Sequence, residues 1–369
     1  MLRAAGSERA AVRFRGGGTK LGWGSPGFDP ELEVSTERLD AVVEHNAADL
    51  TAVVQAGLPL AGAQATFAEV GQMLALDPPL GEGEAATIGG VVATGDSGPL
   101  RHRYGAPRDL LLGITVALSD GTVARSGGKV IKNVAGYDLP KLFCGSFGTL
   151  GLVVQVAVRL HPLPRERLTA TGELQDPEAL QRAVLSLARA PLEFEALDLG
   201  WARGGGRILA RFAGAAPEAR ARRAGEIMSQ MGVEGSITED DEALWAEQRA
   251  GQRSGDGVVI RVSGAPTSLG TVLRVADRVE GSVVGRAASG LSWIVLQPRP
   301  VDDAVGAIEE LRRALDPFPC VVLDAPTEVR EKVDVWGTSN GPAMDLMRRV
   351  KAAFDPPSVC NPGVFVGGI

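Results

Sequence analysis

The stretch with the clearest potential for chemistry lies near the start of the chain, where three glycines follow one another among basic residues. The sequence RFRGGGTK spans residues 13–20, so that Gly16, Gly17 and Gly18 stand directly before Thr19 and Lys20. Glycine adopts positive φ angles at little cost and lets another group touch the backbone. Successive amides in such a turn can point into one concavity and bind an anion such as a phosphate.

Three other interpretations of this stretch compete with an anion site: a P-loop, a dinucleotide fingerprint and a mobile turn. A P-loop requires GxxxxGK followed by Ser or Thr, and these glycines begin no such motif. A dinucleotide fingerprint GxGxxG opens a helix, whereas GGGTKLGWG leads into no helical pattern. A mobile turn explains the stretch as well as an anion site does, so the choice depends on the rest of the chain.

Two further segments combine glycine with other small residues. Residues 79–105 read PLGEGEAATIGGVVATGDSGPLRHRYG and contain no long periodic element. A disordered loop would be richer in charge and poorer in Ile and Val, so we expect this segment to wrap a large flat ligand. Residues 127–153, GGKVIKNVAGYDLPKLFCGSFGTLGLV, have a similar composition. Three such segments, each beside a predicted strand, favour the anion site over three coincidental turns.

Apolar alternation and turn residues predict short strands around these segments. The strands predicted in this way cover residues 10–14, 31–36, 39–45, 50–57 and 151–164. The Asp-Gly pair at residues 120–121 predicts a hairpin over residues 111–128. The period changes in residues 59–74, which predict a helix. Its apolar face would be formed by Leu60, Ala63, Phe67, Val70 and Leu74.

The amino-acid composition and the pattern of predicted elements change after Arg165. Glycine becomes rarer, and strand-like runs alternate with helical segments rich in Ala, Arg and Glu up to a last strand, CVVLDAP, at residues 320–326. This alternation predicts an α+β domain with helices on one face of an antiparallel sheet. The acidic run TEDDEALWAEQ at residues 238–248 is interpreted as a helix start with a solvated face. The last residues predict an amphipathic helix and a Pro/Gly-rich tail.

Composition excludes several classes of protein. The formal net charge is 38 − 45 = −7, which argues against general nucleic-acid binding. No apolar run reaches the length of a membrane span, and we expect a cytoplasmic protein that meets the inner membrane face only through partners. The cysteines Cys144, Cys320 and Cys360 are scattered, so they predict neither a metal site nor an iron–sulfur cluster.

The glycine segments in this order resemble the FAD-binding domain of the vanillyl-alcohol-oxidase-type, or PCMH-type, flavoproteins. RGGGTKL resembles the family's pyrophosphate loop, TIGGVVATGDSG with RYG its second flavin loop, and KNVAGYDLPKLFCGSFGTLGLV its third segment. The terminal CNPGVF resembles the family's final NPG. Within the family, the chain is most similar to the FAD-binding E subunit of bacterial glycolate oxidase.

The resemblance implies an α+β chain with a two-part FAD-binding domain in residues 1–165. An α+β cap or substrate domain would follow in residues 166–335, and a C-terminal helix and tail, residues 336–369, would return to the FAD domain. FAD would be non-covalent, because Lys20 stands where some members have a histidine. The cofactor-binding residues implied are Arg15, Gly16, Gly17, Gly18, Thr19, Lys20, Thr87, Gly89, Gly90, Thr94, Ser97, Gly98, Gly148, Thr149, Gly151 and Val153. Arg15 and Lys20 are equally consistent with solvated charges.

Catalytic members of the family bring histidines to the substrate domain, and this chain departs from that pattern. Its histidines are His45, His102 and His161, all outside residues 166–335. The departure implies a flavin subunit of a glycolate oxidase-like complex that acts on a 2-hydroxy acid with a homologous flavin subunit and an iron–sulfur subunit. Two alternatives stay open: a self-sufficient FAD-dependent D-lactate or 2-hydroxyacid dehydrogenase, and a scaffold that has lost the flavin. The catalytic residues remain unknown at this point.

Overall fold

The computed structural model describes residues 1–129, 137–337 and 341–369. These residues form two compact units. Within the described ranges, unit 1 comprises residues 1–98, 104–129, 137–163 and 341–369, and unit 2 comprises residues 99–103 and 164–337. No helix within the described ranges is both long and apolar enough to cross a membrane.

The elements are numbered in chain order. The strands are β1 (Val12–Arg15), β2 (Leu32–Ser35), β3 (Val42–Asn46), β4 (Thr51–Gln55), β5 (Gln72–Met73), β6 (Leu111–Ala117), β7 (Val123–Gly127), β8 (Leu152–Arg159), β9 (His161–Pro162), β10 (Arg167–Leu174), β11 (Ala196–Ala202), β12 (Gly205–Ala213), β13 (Glu234–Thr238), β14 (Val258–Ser263), β15 (Ser282–Arg286), β16 (Leu291–Leu296) and β17 (Cys320–Asp324). The α-helices are α1 (Leu2–Glu8), α2 (Leu60–Ala68), α3 (Ile88–Thr94), α4 (Arg101–Tyr104), α5 (Pro107–Leu110), α6 (Leu139–Phe143), α7 (Pro177–Arg189), α8 (Pro217–Gln230), α9 (Glu242–Ala250), α10 (Leu269–Arg278), α11 (Val301–Ala314), α12 (Thr327–Lys332) and α13 (Pro342–Phe354). Short 3₁₀ turns lie at Glu82–Glu84, Pro266–Ser268 and Val366–Gly368.

Unit 1 is built around an antiparallel sheet with the strand order β3-β4-β8-β6-β7. β1 and β2 pair in parallel beside it, so the glycine run that follows β1 leaves the end of a strand. The predicted hairpin is present: β6 and β7 pair through a turn in which Gly121 has φ +83°. Side chains from this sheet, α2 and α3 form one apolar core that includes Phe67, Ile88 and Val156.

The helix predicted for residues 59–74 is shorter than its periodicity suggested. α2 ends at Ala68, and Gly71 follows with φ +70°. Leu60, Ala63 and Phe67 are buried as expected, whereas Val70 is 54% exposed. Leu74 is buried, but from the extended segment that follows β5 rather than from the helix. The glycine breaks the period, because a left-handed residue cannot continue a helix.

Unit 2 contains an antiparallel sheet with the order β13-β10-β12-β11-β15-β16-β14-β17. Its apolar face packs against α7, α8, α10 and α11 in one core, as the alternation of strand and helix predicts. The sequence patterns predicted neither β13 nor β15. The residues of β13 are almost all exposed, so no apolar alternation marks this strand.

The second face of this sheet is polar, and α9 packs on it. Asp241, Trp245, Gln248 and Gln252 repeat at intervals of four, three and four residues, which is one side of a helix. All four are at most 5% exposed. The interpretation of residues 238–248 as a helix start with a solvated face was therefore only half right, since Glu242 and Glu247 are exposed but the opposite side is buried.

Polar pairs hold α9 on the sheet. Arg211 donates to both carboxylate oxygens of Asp241 at 2.9 and 2.7 Å, and Thr169 donates to the same carboxylate at 2.6 Å. Burial alone would raise the pKa of Asp241, but the hydrogen bonds from Arg211 and Thr169 outweigh it and lower that pKa. Farther along, Gln248 donates to Asp198 at 3.1 Å.

Replacing Asp241 by Asn should lower the free energy of unfolding of unit 2 by about 3–5 kcal/mol, because Arg211 would remain buried without its counter-charge. The depressed pKa stabilises the fold above the ordinary carboxyl pKa, and this contribution is lost as pH falls through the folded-state pKa. The difference between parent and variant should therefore shrink in acid. Denaturant unfolding followed by tryptophan fluorescence measures it. The exposed neighbour gives a matched control, and an equal loss in Asp240→Asn would contradict the prediction.

Candidate functional site

The glycine run follows β1 and packs against the second glycine-rich segment. A Cβ on Gly16 would overlap the hydroxyl of Thr87, and one on Gly17 would overlap the carbonyl oxygen of Ala85. Gly18 has φ +75°, whereas Gly16 and Gly17 do not have positive φ angles of this kind. Gly16 is therefore required by the close approach of a side chain, Gly17 by the close approach of backbone, and Gly18 by its conformation.

The amides of this run are available for an anion. Within the described residues, the backbone N–H groups of Gly16, Gly17 and Gly18 have no acceptor in the hydrogen-bond network. Consecutive unbonded amides next to a residue of positive φ are the arrangement that binds phosphate groups. The geometry thus fits the anion site that the sequence predicts.

The second segment contains a short helix, α3, inside a stretch where the sequence shows no long periodic element. Thr87 caps α3 by accepting a hydrogen bond from the amide of Gly90 at 3.2 Å. Gly89 donates to the carbonyl of Ala56 at 2.7 Å, and a Cβ there would lie 2.7 Å from the side chain of Ala56. Thr94 donates back to the carbonyl of Gly90 at 2.8 Å. These predicted cofactor residues shape the helix and its approach to β4.

The end of the second segment is buried. Ser97 is 3% exposed, and its amide donates to Asp96 at 2.9 Å. A Cβ on Gly98 would overlap the backbone of Asp77. This part of the segment is therefore packed against the chain that precedes it, which requires a small residue at position 98.

Lys20 is not solvated. Its Nζ lies 3.3 Å from Oδ2 of Asp96, and the two side chains are 6% and 4% exposed. The same Nζ lies 5.7 Å from the ring centroid of Trp23. This pair joins the first glycine segment to the second, and it neutralises the charge that Lys20 would otherwise offer to a phosphate. Arg15 differs, since its side chain is 49% exposed and pairs with Glu33 at 3.3 Å.

The third segment meets the other two. Gly145 and Phe147 donate to the carbonyls of Val92 and Ala93 at the end of α3, at 2.9 and 2.8 Å. Gly148 has φ +72°, and a Cβ there would lie 3.1 Å from the ring of Phe14, just before the glycine run. The fold thus brings together three segments that are far apart in sequence.

The remaining predicted residues of the third segment are mainly structural. Thr149 is 1% exposed and donates to the carbonyl of Ser146 at 2.7 Å. Gly151 has φ +143°, and a Cβ added there would lie 2.9 Å from the carbonyl oxygen of Ala117. Val153 is 6% exposed and packs in the core of unit 1, so its side chain does not line a surface. A cofactor role for these three stays a prediction.

Residues 127–153 also contain polar side chains of the types that can contact or organise a flavin. Lys132 lies outside the described residues. Tyr137 is 92% exposed, and Asp138 pairs with Lys141 at 2.7 Å. Neither the exposure of Tyr137 nor the ion pair of Asp138 indicates a ligand site.

The histidines each have a packing partner. His45 contacts Gln72 at 2.9 Å, and the rings of His161 and Tyr104 lie 4.7 Å apart. The ring of His102 packs edge-on against Phe194 at 5.9 Å. Burial, assisted by the nearby charge of Arg103, lowers the pKa of His102, so this imidazole is neutral near pH 7.

Cys320 and Cys360 are buried, whereas Cys144 is partly exposed. Burial raises the pKa of Cys320 to about 11 and that of Cys360 to about 12, so both are protonated thiols at neutral pH. Across the ranges that the structure describes, no group of three His, Cys, Asp or Glu side chains could hold a metal ion.

Three residues that organise the site were missed by sequence reasoning: Asp96, Lys351 and Asn361. Lys351 is 6% exposed and donates to the carbonyls of Thr149 and Cys360, at 2.7 and 2.9 Å, and to Asp355 at 2.6 Å. Asn361 belongs to the terminal NPG, which had been noted as a motif without a role. The i, i+4 spacing of Lys351 and Asp355 was a visible signal, but such pairs are usually solvated.

Replacing Gly17 by Val should abolish flavin binding, because the new side chain would overlap the carbonyl of Ala85 and push the glycine run away from Thr87. The expected result is loss of bound flavin with little change in the circular dichroism of the flavin-free protein. Flavin absorbance per chain after purification is the measurement.

Gly62→Ala is the matched control for this prediction. Gly62 lies in α2 of the same unit, and an added Cβ there meets nothing within 4 Å. This control should keep the flavin content of the parent. If Gly17→Val also keeps it, the glycine run does not form the site.

Comparison with known proteins agrees with this geometry. A family model for the FAD binding domain matches residues 1–127, and a model for the C-terminal domain of FAD linked oxidases matches residues 330–365. Glycolate oxidase subunit GlcE of Escherichia coli (strain K12) is 36% identical over 174 residues. That match covers 47% of this chain and 49% of GlcE, or about half the length of this relative.

Longer matches cover nearly the whole chain. The mitochondrial D-2-hydroxyglutarate dehydrogenase of Bos taurus is 30% identical over 412 residues, covering 98% of this chain and 73% of that protein. A solved structure of alkyldihydroxyacetonephosphate synthase has a TM-score of 0.72 at 15% identity and covers 98% of this chain and 74% of its own, so it shares the fold. The three glycine segments and the C-terminal tail that contacts two of them are consistent with these matches. The chain belongs to the FAD-linked oxidases with a PCMH-type FAD-binding domain, and it is an FAD-dependent oxidoreductase.

Proposed function

We propose that the chain is the FAD-binding subunit of a glycolate oxidase-like complex, in which glycolate is oxidised to glyoxylate and the electrons pass to partner subunits. The name of the E. coli relative, a glycolate oxidase subunit, supports the substrate class. Glycolate loses two electrons and two protons in this reaction, so a flavin, a proton acceptor and a later electron carrier are all required.

The chain supplies the flavin part of this chemistry. When bound, FAD accepts the two electrons and would be held by the predicted cofactor residues of unit 1. The amides of Gly16, Gly17 and Gly18 would bind its pyrophosphate, with Thr19 as a further donor. Lys20 would act indirectly, because its pairing with Asp96 holds the loop against the second segment.

The observation that carries the proposal is the pairing of charges in unit 2. A 2-hydroxy acid carries a carboxylate, which normally requires an arginine to orient it. On the polar sheet face, Arg167 pairs with Glu195 at 2.8 Å, Arg211 with Asp241 at 2.7 Å and Arg286 with Asp198 at 2.6 Å. These three arginines hold the fold together and are already neutralised by their own carboxylates.

The sequence of the predicted substrate domain also provides no histidine that could accept the proton of the substrate hydroxyl. Residues 166–335 contain no histidine. Asp198 has a raised pKa because it is fully buried, and its Oδ2 accepts hydrogen bonds from Arg286 and Gln248. At 0% exposure this carboxylate is out of reach of a substrate. Substrate chemistry would therefore depend on a homologous flavin subunit. Electron transfer would depend on an iron–sulfur subunit, since three separate cysteines cannot form a cluster.

A self-sufficient dehydrogenase is the second candidate. It is favoured by the match to the bovine D-2-hydroxyglutarate dehydrogenase, which covers 98% of this chain. In that case a carboxylate or an arginine in unit 2 would have to replace the missing histidine. Anaerobic titration of the isolated chain with glycolate and with D-lactate separates the candidates. Bleaching of the flavin supports the dehydrogenase, flavin without bleaching supports the subunit, and absence of flavin supports a scaffold.

FAD should be held non-covalently, since Lys20 pairs with Asp96 and no histidine stands in the glycine run. Acid precipitation of the yellow protein should leave the flavin in the supernatant, where chromatography identifies it as FAD. Colour that stays with the precipitated protein, or recovery of FMN, would count against this prediction.

The isolated chain should oxidise glycolate or D-lactate at least about 10²-fold more slowly than the complex, because loss of a general base typically costs that much or more. The measurement is dye-linked oxidation, normalised per flavin, by the chain alone and after co-expression with candidate partner subunits. Equal rates in the two preparations would overturn the subunit assignment in favour of the self-sufficient dehydrogenase.

A further inference from the structure

We propose that Asn361 is a positioning residue that fixes the distance between the Gly16–Gly18 run and the turn at Gly148, and thereby sets the affinity of the chain for FAD. The inference concerns the cofactor site of unit 1 and does not depend on the substrate or on partner subunits. It rests on the predicted role of these two segments in holding FAD.

The side chain of Asn361 joins the two segments directly. Its Oδ1 accepts a hydrogen bond from the amide of Phe14 at 2.9 Å, and its Nδ2 donates to the carbonyl of Phe147 at 2.7 Å. Phe14 lies two residues before Gly16, and Phe147 directly precedes Gly148. One side-chain amide therefore bridges the residues from which both segments emerge.

The chemistry of the bridge requires an asparagine. An amide side chain offers an acceptor and a donor at the same end, which neither a carboxylate nor an aliphatic side chain does. Asn361 has φ +40°, in the left-handed region that Asn tolerates better than most residues. Glutamine would place its amide one methylene farther away, and a Cβ at Gly148 would already lie 2.8 Å from Nδ2, so there is no room to adjust.

The tail that carries Asn361 is itself fixed within unit 1. The amide of Asn361 donates to the carbonyl of Val12 at 2.9 Å. Immediately before it, the amide and carbonyl of Cys360 bond to Asp355 and Lys351 at 2.8 and 2.9 Å. Lys351 is buried and also bonds to Thr149. The bridge is thus anchored to α13 and cannot follow the glycine segments if they move.

These contacts argue for positioning rather than simple packing. The main apolar core of unit 1 lies in the sheet, α2 and α3, and a second, smaller cluster includes Val12 and Cys360. Asn361 belongs to neither cluster. A hydrogen bond removed from a half-buried backbone group changes local geometry more than global stability when the surrounding core is intact. Loss of the bridge should therefore affect the affinity for FAD more than the folding of the flavin-free chain.

The test compares Asn361→Asp with the parent protein. The variant has the same shape, but its second oxygen would face the carbonyl of Phe147 and repel it. FAD binding to flavin-free protein is measured by calorimetry, and thermal unfolding of the flavin-free protein is measured in parallel. We expect the Kd for FAD to rise about tenfold or more, with a change in the unfolding temperature no larger than that of the control.

Asn46→Asp is the matched control, because Asn46 lies in unit 1 and loses a comparable side-chain hydrogen bond, to Asp49, away from the glycine segments. It should leave the Kd unchanged. Asn361→Gly is the second variant, since glycine keeps the positive φ while removing both side-chain bonds. It should also weaken FAD binding at least about tenfold.

Three outcomes would overturn the proposal. They are an unchanged Kd in both Asn361 variants, an increase of the same size in the control, and failure of both Asn361 variants to fold without flavin. If Gly17→Val retains FAD while the Asn361 variants lose it, the location of the predicted cofactor segments is wrong and the positional role is overturned with it.

Discussion

The close packing of the glycine run against the second segment is the constraint on which unit 1 depends. The glycine run can bind an anion only if it lies close to the second segment, and Gly16 and Gly17 allow that approach to Thr87 and Ala85. Glycine loses more entropy on folding than any other residue, so an unsupported run of three would remain mobile. The surrounding hydrogen bonds and one buried ion pair provide this support.

Both units contain buried ion pairs, and the free-energy cost of removing these charges from water limits them to a structural role. An ion pair removed from water repays desolvation only when its geometry is good and its other hydrogen bonds are satisfied. Arg211 with Asp241 meets this condition beneath α9, and Lys20 with Asp96 forms a second buried pair, between the first two glycine segments. Such pairs stabilise a specific arrangement, but they also remove the charge from chemistry. This consequence links the packing of unit 2 to the proposed division of labour between subunits.

The C-terminal tail shows how a short motif can act at a distance. α13 contributes Phe354, whose ring lies 5.3 Å from that of Phe143 in unit 1. The following residues then reach β1 through the amide of Asn361 and the third glycine segment through its side chain. The predicted cofactor segments are consequently joined by the last residues of the chain, which ties their arrangement to the folding of the whole of unit 1.

Local patterns in the sequence indicated the three glycine segments, the hairpin at Gly121, most of the strands and helices of unit 2 and the resemblance to FAD-binding proteins. These features depend on backbone conformation and on periodicity over a few residues, which the amino-acid order specifies directly. The tertiary structure alone decided that Lys20 pairs with Asp96, that α9 packs with its polar side on the sheet, and that Asn361 bridges Phe14 and Phe147. The bonds of Asn361 span 347 and 214 residues, and no local pattern reveals which buried polar group will meet which partner, since that depends on how the complete chain packs.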